Sequence, residues 1–268
     1  MTTIIDHTHP AYKAKWRACG NAKYNGAYFY SQEIVKNIIP LIDTDRNWIT
    51  VNVKGIGCDH AIVFVHNNLH PENYEWLSQY KDLIIVCGIP ETIDKVKHLG
   101  KAIYLPISVD VEEVKKYATD KKIYDTCYAG RRAKRRRMNI PAGAVMLEGM
   151  PREILLKQLA MFKNAACVGR TAIEAKILGC NILPDCDPRF PDPDRWEILD
   201  NKDAAKILQA ELDKIDGKAI NDEVEEEQEA PAFDKMTKAQ LIEYAEDNGI
   251  EIDKRAKKAE ILEAILNG

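Results

Sequence analysis

The chain has 268 residues, is 46% apolar and 30% charged, and carries a formal net charge of −4. That composition can bury a core and excludes a wholly disordered chain. No apolar run approaches 18 residues, so no membrane-spanning helix is predicted. The opening Met1-Thr2-Thr3-Ile4-Ile5-Asp6-His7 has no basic start followed by a long apolar stretch, which argues against a secretory leader. Seven cysteines (Cys19, Cys58, Cys87, Cys127, Cys167, Cys180, Cys186) form no CxxC pair, and several sit in apolar runs. Reduced thiols of a cytoplasmic protein are expected, not a disulfide framework or a zinc ribbon.

In chain order, Lys23-Tyr24-Asn25-Gly26-Ala27-Tyr28 reads as a glycine-containing loop before a helix from Ser31, whose stripe is Ile34, Val35, Ile38 and Ile39. Short runs at 48–53, 61–65, 83–87 and 102–105 suit strands buried on both faces of a parallel sheet. Helices are predicted between them at 71–80 and 91–99. The pattern restarts after Pro106-Ile107-Ser108-Val109-Asp110: helix 111–117, strand 124–129, strand 144–148, helix 151–162, strand 165–169, helix 171–178 ended by Gly179, strand 181–184 and a closing helix 203–215. Two successive αβ units predict an α/β protein of two Rossmann-like lobes, 1–106 and 107–216, with a cleft between them.

Residues 217–234 hold seven acids against one base and include Ala230-Pro231-Ala232, the composition of a flexible linker. This leaves +3 on residues 1–216 and −1 on residues 235–268. In the last segment Thr237 precedes Gln240 as in a capping box, and two helices flank an extended Ile250-Glu251-Ile252, giving a small all-α tail module.

Candidate chemistry follows two strands of the second lobe. Gly130 at a strand end allows a sharp turn and close ligand approach. Arg131 and Lys134 then offer a guanidinium fork and a point charge, which suit a diphosphate. Gly169-Arg170-Thr171 opens a helix, whose start favours anions. Glu174, in the first turn, is either a plain N-terminal acid or an acceptor for a ribose diol. His66 follows strand 61–65, where carboxyl ends face a cleft; it is either a general base toward a hydroxyl or a polar turn residue. Arg131 to Arg137 holds six bases in seven residues and cannot be core. It is either a solvated face or a polyanion contact through Arg135 and Arg136. Arg189, Arg195 and Trp196, in a proline-rich loop, are candidates to line the cleft. Asp6, His7 and His9 read as solvated polar residues and Asp43-Thr44-Asp45 as a turn, so no metal site is expected.

Gly130-Arg131…Lys134 and Glu174-Ala175…Cys180-Asn181-Ile182 resemble the donor lobe of GT-B-type nucleotide-sugar glycosyltransferases. Tyr104-Leu105-Pro106-Ile107-Ser108-Val109-Asp110 resembles the hinge leading into that lobe. The likeness spans roughly residues 20–215. It implies a nucleotide-sugar as substrate, no separate cofactor and no metal. It implies that Gly130, Arg131, Lys134, Gly169, Arg170 and Thr171 hold the donor diphosphate and Glu174 its ribose. Tyr24, Asn25 and Gly26 would form the acceptor-side loop, and His66 would be the catalytic base. The position seven before Glu174, commonly acidic in that family, is Cys167.

The tail resembles HeH/SAP/LEM-like modules and the N-terminal motif of the Rho terminator, frequent on bacteriophage proteins. That likeness implies nucleic-acid contacts through Lys254, Lys257 and Lys258, although a net charge of −1 leaves protein docking or tethering open. Together the two likenesses imply a phage-type glycosyltransferase, cytoplasmic in a bacterial host, acting on a hydroxyl acceptor such as a hydroxylated base in DNA. The alternative is a non-catalytic scaffold of the same fold, or a virion-associated nucleic-acid binder.

Overall fold

The computed structural model describes residues 2–12, 26–51, 53–66, 70–218, 237–247 and 256–267. The chain divides into two compact units, Met1–Lys218 and Ala219–Gly268. The first is α/β and contains two parallel sheets.

The first sheet runs β1 (Ile4–Ile5), β2 (Asn47–Ile49), β3 (Ala61–Val65), β4 (Leu83–Cys87) and β5 (Lys101–Tyr104), neighbours in chain order and all parallel. β3 and β4 are buried at every residue. The reason is the two-residue side-chain period of a strand with both faces covered. Val63, Val65, Ile85 and Cys87 join one core, with Tyr74, Leu77 and Val96. Ile62, Phe64, Ile84 and Val86 join the other.

That second face is closed by Ile34 and Ile38 and by α7 (Asn201–Asp216), through Ala204, Ala205, Leu208 and Leu212. The closing helix therefore returns to the first sheet, whereas sequence order had placed it in the second lobe. Its stripe of apolar residues covers the Ile62, Phe64, Ile84 and Val86 face of β3 and β4, and Asp200 caps its start by accepting from the Lys202 N–H at 2.9 Å.

The second sheet has the order β7 (Val145–Glu148), β6 (Tyr124–Gly130), β8 (Phe162–Ala166), β9 (Asn181–Ile182), again all parallel. Its core joins Cys127, Ala129, Leu147 and Ala165 to Leu156, Leu159, Ile173 and Ala175 of the covering helices. The remaining helices are α1 (Gly26–Glu33), α2 (Ile93–Val96), α3 (Val111–Lys115), α4 (Arg132–Arg135), α5 (Arg152–Leu159) and α6 (Arg170–Ile177).

Several boundaries differ from the pattern reading. The helix before β2 starts at Gly26, not Ser31. Ser31 lies buried inside it, with its hydroxyl 2.9 Å from that of Thr50. The helix continues as a π segment, Ile34–Ile38, and tightens at Pro40, which has no N–H to extend the ladder. The segment 71–80 is a 3₁₀ helix, Pro71–Gln79. The strand read at 165–169 is shifted to Phe162–Ala166. Lys163 and Asn164 interrupt its apolar run, but pairing with Tyr124 and Thr126 sets the register.

In the second unit α8 (Lys238–Asp247) and α9 (Lys258–Asn267) bury Leu241, Ala245 and Ile261 together. The N–H of Gln240 donates to Thr237 Oγ1 at 3.3 Å and the Thr237 N–H donates back to Gln240 Oε1 at 2.8 Å, a reciprocal cap. The expected extended segment 250–252 and Lys254 lie outside the described residues. Among the described residues no helix is long and apolar enough to cross a membrane.

Candidate anion site

An open parallel sheet offers a ligand crevice at its carboxyl ends, where neighbouring strands send their connections in opposite directions. The first sheet never reverses. In the second, β7 lies on one side of β6 and β8 on the other, so the reversal falls between β6 and β8. The loops that leave these two ends begin at Gly130-Arg131 and at Cys167-Val168-Gly169.

After β6, the buried Tyr128 turns its hydroxyl to donate to the Arg131 carbonyl at 2.9 Å. A Cβ at Gly130 would lie 2.6 Å from that hydroxyl, so the close approach requires glycine. Arg131, Arg132, Arg135, Arg136 and Arg137 are exposed around α4, while Lys134 is tucked in. Burial, and then Arg131, Arg137 and Arg189, lower the Lys134 pKa to about 8, with Asp187 opposing them. Arg189 arrives from the loop after β9. It is held by Asp187, which accepts from Nε at 2.8 Å and from Nη2. Four cations thus face a single carboxylate. Such crowding disfavours the charged lysine until an anion arrives.

Glu148 ends β7 in register with Gly130. Its charge faces Arg135 at 3.7 Å, and its Oε1 is enclosed with no hydrogen-bond partner.

The loop after β8 is built differently. Gly169 has φ +65°, and a Cβ there would meet nothing within 4 Å. The side chains of α6 turn into an internal ion cluster. Arg170 Nε donates to Glu174 Oε1 at 2.8 Å, and Arg152 donates to the same oxygen through Nε at 3.1 Å and Nη2 at 2.8 Å. Arg170 Nη2 donates to Glu33 Oε1 on α1, and Asn201 Nδ2 donates to Glu33 Oε2 at 3.4 Å. Burial pushes the Glu174 pKa up, but Arg170 and Arg152 outweigh it and hold the carboxyl below its ordinary range. Glu174 is 3% exposed and three donors converge on one of its oxygens. In this geometry it is the anion of a structural cluster and not a ribose ligand. Arg170 is likewise engaged, although its Nη1 is enclosed without a partner. Thr171 is half-buried in the first turn, where backbone N–H groups lack intrahelical acceptors.

His66 is also reassigned. Its Nε2 donates to the Thr50 carbonyl, and its ring stands edge-on to Tyr30 at 5.7 Å. Burial lowers its pKa to about 4, against the opposing Thr50 bond. An efficient general base has a pKa near the working pH. This imidazole is neutral, tethered and weakly basic, and it ties the end of β3 to Thr50.

Gly26 opens α1; Tyr24 and Asn25 lie outside the described residues. Lys257 and Lys258 are exposed at the start of α9. Sequence reading missed Asp187 and Glu148 near the cations, Arg152 as a partner of Glu174, and Glu33 as the second anion of that cluster. Asp187 and Arg189, two residues apart, offered a local signal; Arg152 and Glu174, 22 apart, offered none. Among the described residues no group of three or more His, Cys, Asp or Glu is placed to hold a metal ion. No family model, curated protein or solved structure matches the chain.

Proposed function

We propose that residues 1–218 form a GT-B-like glycosyltransferase of two Rossmann-like lobes, which takes a nucleotide-diphosphate sugar at the reversal between β6 and β8 and passes the sugar to a hydroxyl. The observation that carries this reading is the excess of cations, Arg131, Lys134, Arg137 and Arg189 against Asp187, at a parallel-sheet crevice. A diphosphate leaving group gains negative charge as the glycosidic bond breaks, and preorganised cations stabilise that charge without a metal. Gly130 leaves room for the Tyr128 hydroxyl that holds the Arg131 carbonyl, and the start of α6 adds N–H donors. Glu148, in register with Gly130 and facing Arg135 at 3.7 Å, is the carboxylate beside these cations.

The HeH/SAP-like reading of the second unit makes nucleic acid the acceptor class, a hydroxylated base being the reactive group. A base inside a duplex must then be flipped out. The test is calorimetry with uridine, guanosine, adenosine and cytidine diphosphates, followed by sugar transfer to hydroxymethylated DNA. Binding that is lost in Arg131→Ala supports the reading, and binding of none of the four removes it.

A second reading is favoured by the exposure of Arg132, Arg135 and Arg136: a non-catalytic nucleic-acid binder. It requires DNA affinity that falls steeply with salt and no affinity for nucleoside diphosphates.

A further inference from the structure

A separate hollow of about 220 Å³ lies where the two sheets are joined. Its walls include Gly88 after β4, Tyr104 at the end of β5, Ile173 of α6, and Arg195, Trp196 and Glu197. We propose that it binds an amine-bearing nucleobase of the cytosine or adenine type. This assignment stands independently of sugar transfer.

The wall is fixed before any ligand arrives. Trp196 is 6% exposed and packs edge-to-face on Phe190 at 5.3 Å. The Arg195 guanidinium lies 5.3 Å from the Trp196 ring and 4.7 Å from the Phe190 ring. Its charge is already met by Glu91, which accepts from Nη2 at 2.9 and 3.1 Å. Glu197 is exposed and has no hydrogen-bond or ion-pair partner among the described residues. Arg195 is thus engaged by Glu91, which Lys95 also faces, and the Glu197 carboxylate is left over. The hollow repels free anions and asks for a hydrogen-bond donor. Tyr104, 41% exposed, adds an aromatic ring, and Glu197 contributes to raising its hydroxyl pKa, after burial.

A planar ring stacked on the exposed Tyr104 gains favourable contact whatever its identity. The exocyclic amine of cytosine or adenine would donate to the Glu197 carboxylate. In the same pose uracil or hypoxanthine sets a carbonyl oxygen against it, and each must shift to offer its ring N–H instead. The hollow also adjoins the cation cluster: Phe190 lies between Arg195 and Arg189, the latter 5.3 Å from its ring. Such a base can belong to a nucleoside diphosphate or to a polynucleotide.

The test is calorimetry of the full chain with cytidine, adenosine, uridine and inosine. These nucleosides carry no phosphate, so failure here is distinct from failure at Arg131. The expected result is roughly tenfold tighter binding of cytidine and adenosine than of uridine and inosine. Glu197→Gln, at an exposed position, should shift preference toward uridine because the amide supplies an N–H. Equal binding of all four, binding of none at millimolar concentration, or an unchanged preference in Glu197→Gln overturns the proposal. Cytidine diphosphate and an oligodeoxycytidine then identify the source of the base. Loss of the diphosphate alone in Arg131→Ala assigns the base to the nucleotide. Retained oligonucleotide binding in that variant, abolished by Glu197→Gln, assigns it to a polynucleotide.

Discussion

Two clusters of charge follow neighbouring strands of one sheet, and they are opposite in kind. After β8, Arg152 and Arg170 are matched by Glu33 and Glu174, every charge has a partner, and the group is largely enclosed. After β6, Arg131, Lys134, Arg137 and Arg189 share Asp187, and most of the arginines reach solvent. In the first arrangement the charges are already met from within. The second is under electrostatic stress that an anion relieves. Residue type alone does not separate architecture from binding, since both clusters are arginine-rich and both sit beside glycines. Local charge balance does.

The largest expected effect tests the balanced side. Glu174→Ala leaves the buried Arg170 and the half-buried Arg152 with Glu33 as their one remaining anion in the cluster and should cost about 3 kcal/mol, read by urea denaturation. An unshifted midpoint would erase the distinction. On the other side, Arg131→Ala should move stability by no more than about 0.5 kcal/mol. It should weaken diphosphate binding by about 1.5–3 kcal/mol, tenfold or more by calorimetry.

A subtler effect concerns Lys134. With its pKa lowered to about 8, it loses charge as pH rises through that value, so diphosphate affinity should fall between pH 7 and 9. Stability should respond in the opposite sense. The unfolded lysine holds its proton to about 10.4, so this group makes the ligand-free protein more stable as pH climbs from about 8 to about 10.4. Lys134→Met should flatten both profiles.

The smallest effect lies far from either cluster. His60 is held between Asp82 and Asp45, which raise its pKa, and His60, foremost, lowers that of Asp82. The His60 contribution is complete below about pH 6.5 and fades as pH rises through its raised folded value. The Asp82 contribution is present above about pH 3.9 and fades as pH falls through its lowered value. Melting temperature should therefore decline gently as pH rises from about 6.5 through that raised value. His60→Asn, which tolerates the backbone φ of +50° at this site, should remove that decline.

Much of the fold could be read from the chain because its strands are doubly buried. Ala61–Val65 and Leu83–Cys87 are continuous apolar runs and became central strands. Ile4–Ile5 forms a two-residue strand too short to carry a period, whereas the strand read at 181–184 is present as Asn181–Ile182. The Gly130-Arg131…Lys134 segment was legible because its residues are adjacent. The ion cluster around Glu174 was not, because Glu33, Arg152 and Arg170 converge from three helices. Glu174 and His66 had attractive local contexts, a helix start and a strand end. Packing then supplied each with internal partners, and those partners decide what the groups do.

The amino-acid order by itself determined the alternation of strands and helices, the acidic boundary before the last segment, and the cationic run after Gly130, since each follows from neighbours along the chain. Only the tertiary structure decided which arginines are neutralised, that α7 closes the first sheet, and that Glu148 and Glu197 keep unpaired oxygens. Those outcomes depend on which distant side chains reach one another, and no local pattern encodes such distances.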